Sequence, residues 1–280
     1  MSELRRFVQV DVFTAQPLKG NPLAVVVDAA GLDESQMAAF ARWTNLSETT
    51  FLLPPTDPAA DYRVRIFTPG GELPFAGHPT LGSAHAWLAS GGDPKRPGEL
   101  VQQCGIGLVR VKREGARLAF AAPPLRRSGP VQEAGLREQV LASLRIPSAE
   151  LLDLVWVDNG PGWMAARLKD AAAVRALQPD FVAMRGLKLG VVGAQPEGAE
   201  TQFELRAFVP TLGVPEDPVT GSLNAGVALW LQAAGLAPEH YLASQGSALG
   251  RDGRVYIRRD GDQTWIGGDV TPLIHGQVRL

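Results

Sequence analysis

Short runs in which apolar and polar positions alternate with a period of two recur along most of this chain, the spacing of half-buried β-strands. Tyr62-Arg63-Val64-Arg65-Ile66-Phe67 is the cleanest, with arginines on one face and mostly aliphatic residues on the other. Phe7-Val8-Gln9-Val10-Asp11-Val12-Phe13 and Thr201-Gln202-Phe203-Glu204-Leu205-Arg206-Ala207-Phe208 have the same form. Many of the 31 glycines and 22 prolines fall between such runs, which predicts antiparallel β structure with many turns.

Three segments switch to helical spacing. The first opens on Asp33, an N-cap with Gln36 three residues on, and places Met37, Phe40 and Ala41 on one face. The second follows His78-Pro79 and runs to about Gly91; the third follows Asp217-Pro218 and runs to about Gly235. Neither Thr80–Leu88 nor Ser222–Leu231 carries a charge. A helix without a polar face is buried on all sides, and in a chain rich in short strands the natural wrapping is a curved sheet around each helix.

These elements recur at a near-constant offset. Tyr62–Pro69 matches Phe203–Pro210 at 141 positions, and His78–Ser83 matches Asp217–Ser222 at 139, close to half of the 280 residues. Asn21-Pro22 and Gly160-Pro161 pair at the same 139. The consistency predicts two structurally equivalent halves, joined near the turn-rich Pro123–Pro130.

Composition narrows the function classes. Hydrophobic residues make up 45% and charged residues 20%, an ordinary globular balance. The net charge of −2 gives no overall pull toward nucleic acid or an anionic membrane. With Cys104 as the only cysteine no intrachain disulfide is available, which fits a reducing compartment. No stretch reads as a signal peptide or a membrane span, so the expectation is a soluble cytosolic protein.

The candidate chemistry gathers at the two apolar helices. Each opens with a polar residue, a proline and a small-residue turn (Gly82-Ser83 and Gly221-Ser222), and a helix N-terminus favours anions. Asp217 also reads as an ordinary N-cap, whereas His78 is a poor one. His85 and Asn224 read as satisfied core polar groups. Glu48, in Asn45-Leu46-Ser47-Glu48-Thr49, precedes an uncharged and increasingly apolar run. A glutamate at a strand start is most often a solvated charge; one desolvated there suits a proton shuttle near neutral pH. The four histidines show no metal-ligand spacing, and no dinucleotide fingerprint or P-loop appears.

Gly20-Asn21-Pro22, Asn45-Leu46-Ser47-Glu48-Thr49, Glu72-Leu73-Pro74-Phe75-Ala76-Gly77-His78-Pro79-Thr80 and Glu216-Asp217-Pro218-Val219-Thr220-Gly221-Ser222 together resemble the phenazine-biosynthesis (PhzF-like) isomerase family. The resemblance implies an α+β protein of the diaminopimelate-epimerase-like fold: two pseudo-symmetric domains, each a β-barrel rolled around a central α-helix, with the site in the cleft between them. The first domain is then expected over 1–122, completed by a C-terminal strand over about 268–280, and the second over 123–267. The resemblance further implies a homodimer, no cofactor and no metal. It assigns Glu48, His78 and Asp217 as catalytic and Gly77, Gly221 and Ser222 as binding the carboxylate of a small, dihydrohydroxyanthranilate-like substrate. Pro218-Val219 depart from the small residues expected after the aspartate in phenazine-pathway members, which opens the substrate identity.

Two other functions compete with a single-glutamate isomerase. An epimerase or racemase using one thiol per half is disfavoured by the lone Cys104, although a Glu48/Asp217 pair of bases stays open. A non-catalytic small-molecule binder would have no need of Glu48, His78 and Asp217 together.

Overall fold

The structure, a computed structural model, describes residues 3–210 and 214–280. In chain order its elements begin with β1 (Leu4–Val12), β2 (Asn21–Val26), α1 (Glu34–Thr44), β3 (Glu48–Leu53), β4 (Tyr62–Thr68), β5 (Gly71–Leu73) and α2 (Gly77–Ala89). The hairpin strands β6 (Glu99–Cys104), β7 (Gly107–Glu114) and β8 (Arg117–Ala121) follow, then β9 (Arg127–Pro130), α3 (Leu136–Leu144), β10 (Asp153–Asp158), β11 (Met164–Arg167) and α4 (Ala171–Ala176). The last part holds β12 (Leu189–Ala194), β13 (Phe203–Val209), β14 (Val214–Asp217), α5 (Gly221–Ala233), β15 (His240–Gln245), β16 (Gly253–Asp260), β17 (Gln263–Gly268) and β18 (Val270–Arg279). The protein is thus mixed α and β, mostly strands.

The contacts divide the chain into two compact units: residues 1–121 with 267–280, and residues 122–266. In unit 1, β1 is flanked by antiparallel β18 and β2, so the last strand of the chain lies against the first. β2 pairs in parallel with β3, which brings Leu23 opposite Glu48. In unit 2, β12 and β15 flank β13, and β14 turns back antiparallel to β13 with Asp217 opposite Ala207.

The charge-free helices are buried as their composition predicts. Residues Gly77–Ala84 of α2 and Gly221–Ala228 of α5 are all buried. Within unit 1, α2 packs on β1, β2, β3 and β8; within unit 2, α5 packs chiefly on β10. One glycine in each permits the approach. A Cβ on Gly82 would stand 2.5 Å from the Leu23 side chain, and one on Gly226 would stand 2.3 Å from the Val157 carbonyl oxygen. Glycine costs about 1 kcal/mol against alanine inside a helix, and here it removes the atom that would hold helix and strand apart.

α1 opens on the expected capping box, Asp33 accepting from the Gln36 N–H, and buries Met37, Phe40 and Ala41. Two expectations change. Both buried helices start elsewhere: α2 begins at Gly77, so His78 is its second residue, whereas Asp217 ends β14 and α5 begins only at Gly221. The helix starts correspond at an offset of 144 (221 − 77), which pairs His78 with Ser222 rather than with Asp217. β13 also departs from simple alternation, because all seven of its residues are buried, Glu204 and Arg206 included. Both charges are met inside: Glu204 accepts from Ser244 and Ser247, and Arg206 forks onto Glu216.

Candidate active site

Glu48 is placed by a local stop. α1 is capped by Asn45, which adopts the left-handed conformation that releases a helix, and three residues later Glu48 opens β3. Its side chain is 13% exposed, and Oε2 lies 3.5 Å from His78 Nε2, whose own side chain is 3% exposed. On the far side of the ring, Asn21 Nδ2 lies 3.2 Å from His78 Nδ1, and Asn21 Oδ1 accepts from Ser47 Oγ at 3.4 Å. Unit 1 therefore brings Glu48, His78 and Gly77 together at the start of α2.

Burial drives the His78 pKa down to about 3, and the neighbouring Pro22 carbonyl offsets only part of that effect. The Glu48–His78 contact would pass for an ion pair on distance alone, but the imidazole is neutral at neutral pH. The ring hydrogen-bonds to Asn21 through Nδ1 and is a weak base.

The same burial carries a stability consequence. In the unfolded chain His78 takes a proton near its ordinary 6.5, and in the folded chain only near 3. Between those values the unfolded state binds more protons, so this group lowers stability as pH falls from about 6.5 toward 3. In His78→Gln the melting temperature is expected to fall less between pH 7 and pH 4 than in the wild type. Parallel slopes in a thermal-melt series would remove His78 as the source.

In unit 2, Asp217 is 8% exposed, and Oδ2 accepts from Thr220 Oγ1 at 2.6 Å. Gln245, at the end of β15, holds this corner. Its Nε2 donates to the Asp217 carbonyl and to Thr220 Oγ1, while its Oε1 accepts from Thr220 N and from Asn224 Nδ2. Asp217 is thus not the N-cap of α5; that residue is Thr220, whose side chain makes no capping bond. Ser222 and Gly221 stand in the first turn of α5, where main-chain N–H groups lack helical partners. Ser222 Oγ accepts from Trp163 Nε1 at 3.0 Å, and its carbonyl accepts from Asn159 Nδ2 at 2.8 Å.

Asn224 is a satisfied core amide, as expected, bonded to Thr220 O and Gln245 Oε1. His85 is only half-buried, with its pKa lowered by burial and then by His275. The side chains that sequence reasoning gave no role are Asn21, Thr220, Gln245 and Trp163. Asn21 stood in a motif; Gln245 and Trp163 carried no local signal. Among the described residues no group of three or more His, Cys, Asp or Glu could hold a metal ion, and no helix is long and apolar enough to cross a membrane.

Residues 10–276 match the family described as "Phenazine biosynthesis-like protein", PhzC-PhzF. The chain is 34% identical over 291 residues to "Antisense-enhancing sequence 1" of Schizosaccharomyces pombe, covering 97% of each. It is 36% identical over 261 residues to the trans-2,3-dihydro-3-hydroxyanthranilate isomerase of Pseudomonas aeruginosa, covering 92% of this chain and 91% of that one. Among solved structures, a PhzF-family protein of Enterococcus faecalis matches with a TM-score of 0.80 at 26% identity over the whole of both chains. A probable proline racemase of Agrobacterium radiobacter shares the fold, with a TM-score of 0.63 at 14% identity over 99% of this chain and 93% of its own.

Proposed function

This chain belongs to the phenazine biosynthesis-like (PhzC-PhzF) family and is an isomerase, and on that premise we propose that it moves a proton between carbons of a small carboxylate substrate, with Glu48 as the acid/base. One observation carries the reading: a carboxyl group, largely withdrawn from water at the start of β3, sits beside a neutral imidazole. A carboxylate can take a proton from carbon and return it at another carbon on the same face without any cofactor, provided a neighbour keeps it aimed. His78 is that neighbour. It is too weak a base to compete for the proton and close enough to orient the side chain.

Asp217, Gly221 and Ser222 of unit 2 are assigned to the polar groups of the substrate. First-turn N–H groups of α5 suit a carboxylate, and Asp217 has the acceptor oxygens to hold a hydroxyl or amino group. The two barrels rolled around α2 and α5, and the homodimer, belong to the same reading. A dihydrohydroxyanthranilate-like substrate is favoured by the Pseudomonas aeruginosa relative, which bears that name at 36% identity. A thiol-based epimerase has little support, because the single cysteine, Cys104, ends β6 and burial pushes its pKa up.

The test is to incubate the protein in heavy water with trans-2,3-dihydro-3-hydroxyanthranilate and a panel of related small carboxylates, following deuterium at carbon by NMR. Entry of deuterium together with isomerised product is expected for at least one member. Binding without exchange across the panel would replace this reading with that of a non-catalytic binder.

A further inference from the structure

The contact between Trp163 and Ser222 has a direction that chemistry fixes. An indole N–H donates and cannot accept, so at 3.0 Å Ser222 Oγ is the acceptor. The hydroxyl proton must then point elsewhere, and among the described residues Ser222 Oγ has no other hydrogen-bond partner. Both residues are buried, Trp163 at 3% and Ser222 at 5% exposure, where an unspent donor calls for an acceptor. The surrounding loop is built to hold the arrangement. Asp158 Oδ1 accepts from the N–H groups of Gly160 and Gly162, which tightens the turn leading to Trp163. Asn159 Nδ2 fixes the Ser222 carbonyl from the same turn.

We propose that Trp163 is a positioning residue: by donating to Ser222 Oγ it fixes the orientation of that hydroxyl, so that its one proton is held toward an acceptor at the start of α5, and a carboxylate, which forms the stronger charge-assisted hydrogen bond, is favoured over a carboxamide or an amine. The inference rests on the reading that Ser222 contacts the substrate carboxylate. A phenyl ring at 163 would fill much of the same space but leave the serine free to rotate and accept. Selectivity should then fall even where packing holds.

The experiment compares anthranilate with 2-aminobenzamide, which share a ring and differ in this one group. Dissociation constants are measured by calorimetry for the wild type, Trp163→Phe, Ser222→Ala and the double variant. Wild type should prefer the carboxylate, and Trp163→Phe should cut that preference about tenfold, the loss expected when one hydrogen bond to a charged group goes. Ser222→Ala should do the same, and the double variant should lose little more, because both changes remove one interaction. A preference kept by Trp163→Phe but lost in Ser222→Ala overturns the role of Trp163 and leaves the carboxylate contact standing. Full additivity of the two losses would also overturn it, by making the tryptophan effect independent of the serine. A preference kept by Ser222→Ala overturns the contact itself, and binding of neither ligand by wild type overturns the substrate class; each takes this inference with it. Should Trp163→Phe fail to fold, 15N-labelled tryptophan gives a second readout: the Trp163 indole N–H resonance moves in Ser222→Ala if the bond exists, and stays in place if it does not.

Discussion

Replacing Glu48 with glutamine is expected to lower kcat by about 10²–10⁴-fold, the range a positioned general acid/base contributes, with substrate affinity changed only a few-fold. That loss corresponds to roughly 3–5 kcal/mol of transition-state stabilisation. The amide has nearly the shape of the carboxyl group and fits the same place beside His78, so the start of β3 should be preserved. What it lacks is a site for the migrating proton. His78 cannot stand in, because burial brings its pKa down to about 3 and leaves it a weak base. The pairing with His78 Nε2 at 3.5 Å also predicts a smaller second effect. His78→Gln should reduce kcat less than Glu48→Gln does, since it removes an orienting contact and leaves the proton carrier. Initial rates of deuterium entry at substrate carbon, with KM from the same series, measure both. A Glu48→Gln enzyme that retains exchange within tenfold of wild type would end the assignment.

The elements that position this site were readable where the governing signal was local. The Asp33–Gln36 capping box and the apolar stripe of α1 depend on residues within a few positions of one another, and both hold. The absence of charge in α2 and α5 was enough to foresee their burial. Helix starts were less legible. Proline pointed to His78-Pro79 and Asp217-Pro218, yet α2 starts one residue before the histidine, and the second proline lies in the turn after β14, ahead of the N-cap Thr220. Matching by sequence therefore paired His78 with Asp217, where matching by helix position pairs it with Ser222. The fourth residues of the two helices, Thr80 and Asn224, then share a partner type: Gln102 on β6 donates to Thr80 Oγ1, and Gln245 on β15 accepts from Asn224 Nδ2.

Glu48 itself read as an ordinary solvated charge until family motifs singled it out, because its environment is made by a residue 30 positions away (78 − 48), at the start of another element. The helpers are more remote still. Asn21 reaches His78 across 57 positions, and Trp163 reaches Ser222 across 59. No window of local pattern contains both ends of such a contact.

The largest expected loss of stability comes from a charge pair that the sequence shows twice and burial separates. Arg65 of β4 forks onto Glu72 of β5 at 2.7 and 2.6 Å, and Arg206 of β13 forks onto Glu216 of β14 at 2.9 and 2.7 Å. Each guanidinium also lies about 5 Å from the ring two residues on, Phe67 and Phe208 respectively. The chemistry is the same and the surroundings are not: the side chains of the first pair are 26% and 36% exposed, those of the second 6% and 5%. Arg206 further donates to the carbonyls of Val174 and Leu177 at the end of α4, where helix carbonyls run out of main-chain donors. Arg206→Met strips the Glu216 carboxylate of its partner where water cannot replace it, and about 3–5 kcal/mol of stability should be lost. Arg65→Met exposes a half-solvated glutamate to more solvent and should cost about 1 kcal/mol or less. Removing both charges, as Arg206→Met with Glu216→Leu, should recover much of the single-variant loss, because the penalty belongs to the orphaned charge more than to the missing attraction. Urea unfolding of the three variants beside wild type measures this directly. Equal losses for Arg65→Met and Arg206→Met, or a double variant no better than Arg206→Met alone, would show that burial is not what distinguishes the pairs. Glu216 adjoins Asp217 on the same short strand, so a loosened β14 would displace Asp217. Arg206→Met should therefore also raise KM under conditions where it remains folded, while Arg65→Met leaves KM near its wild-type value.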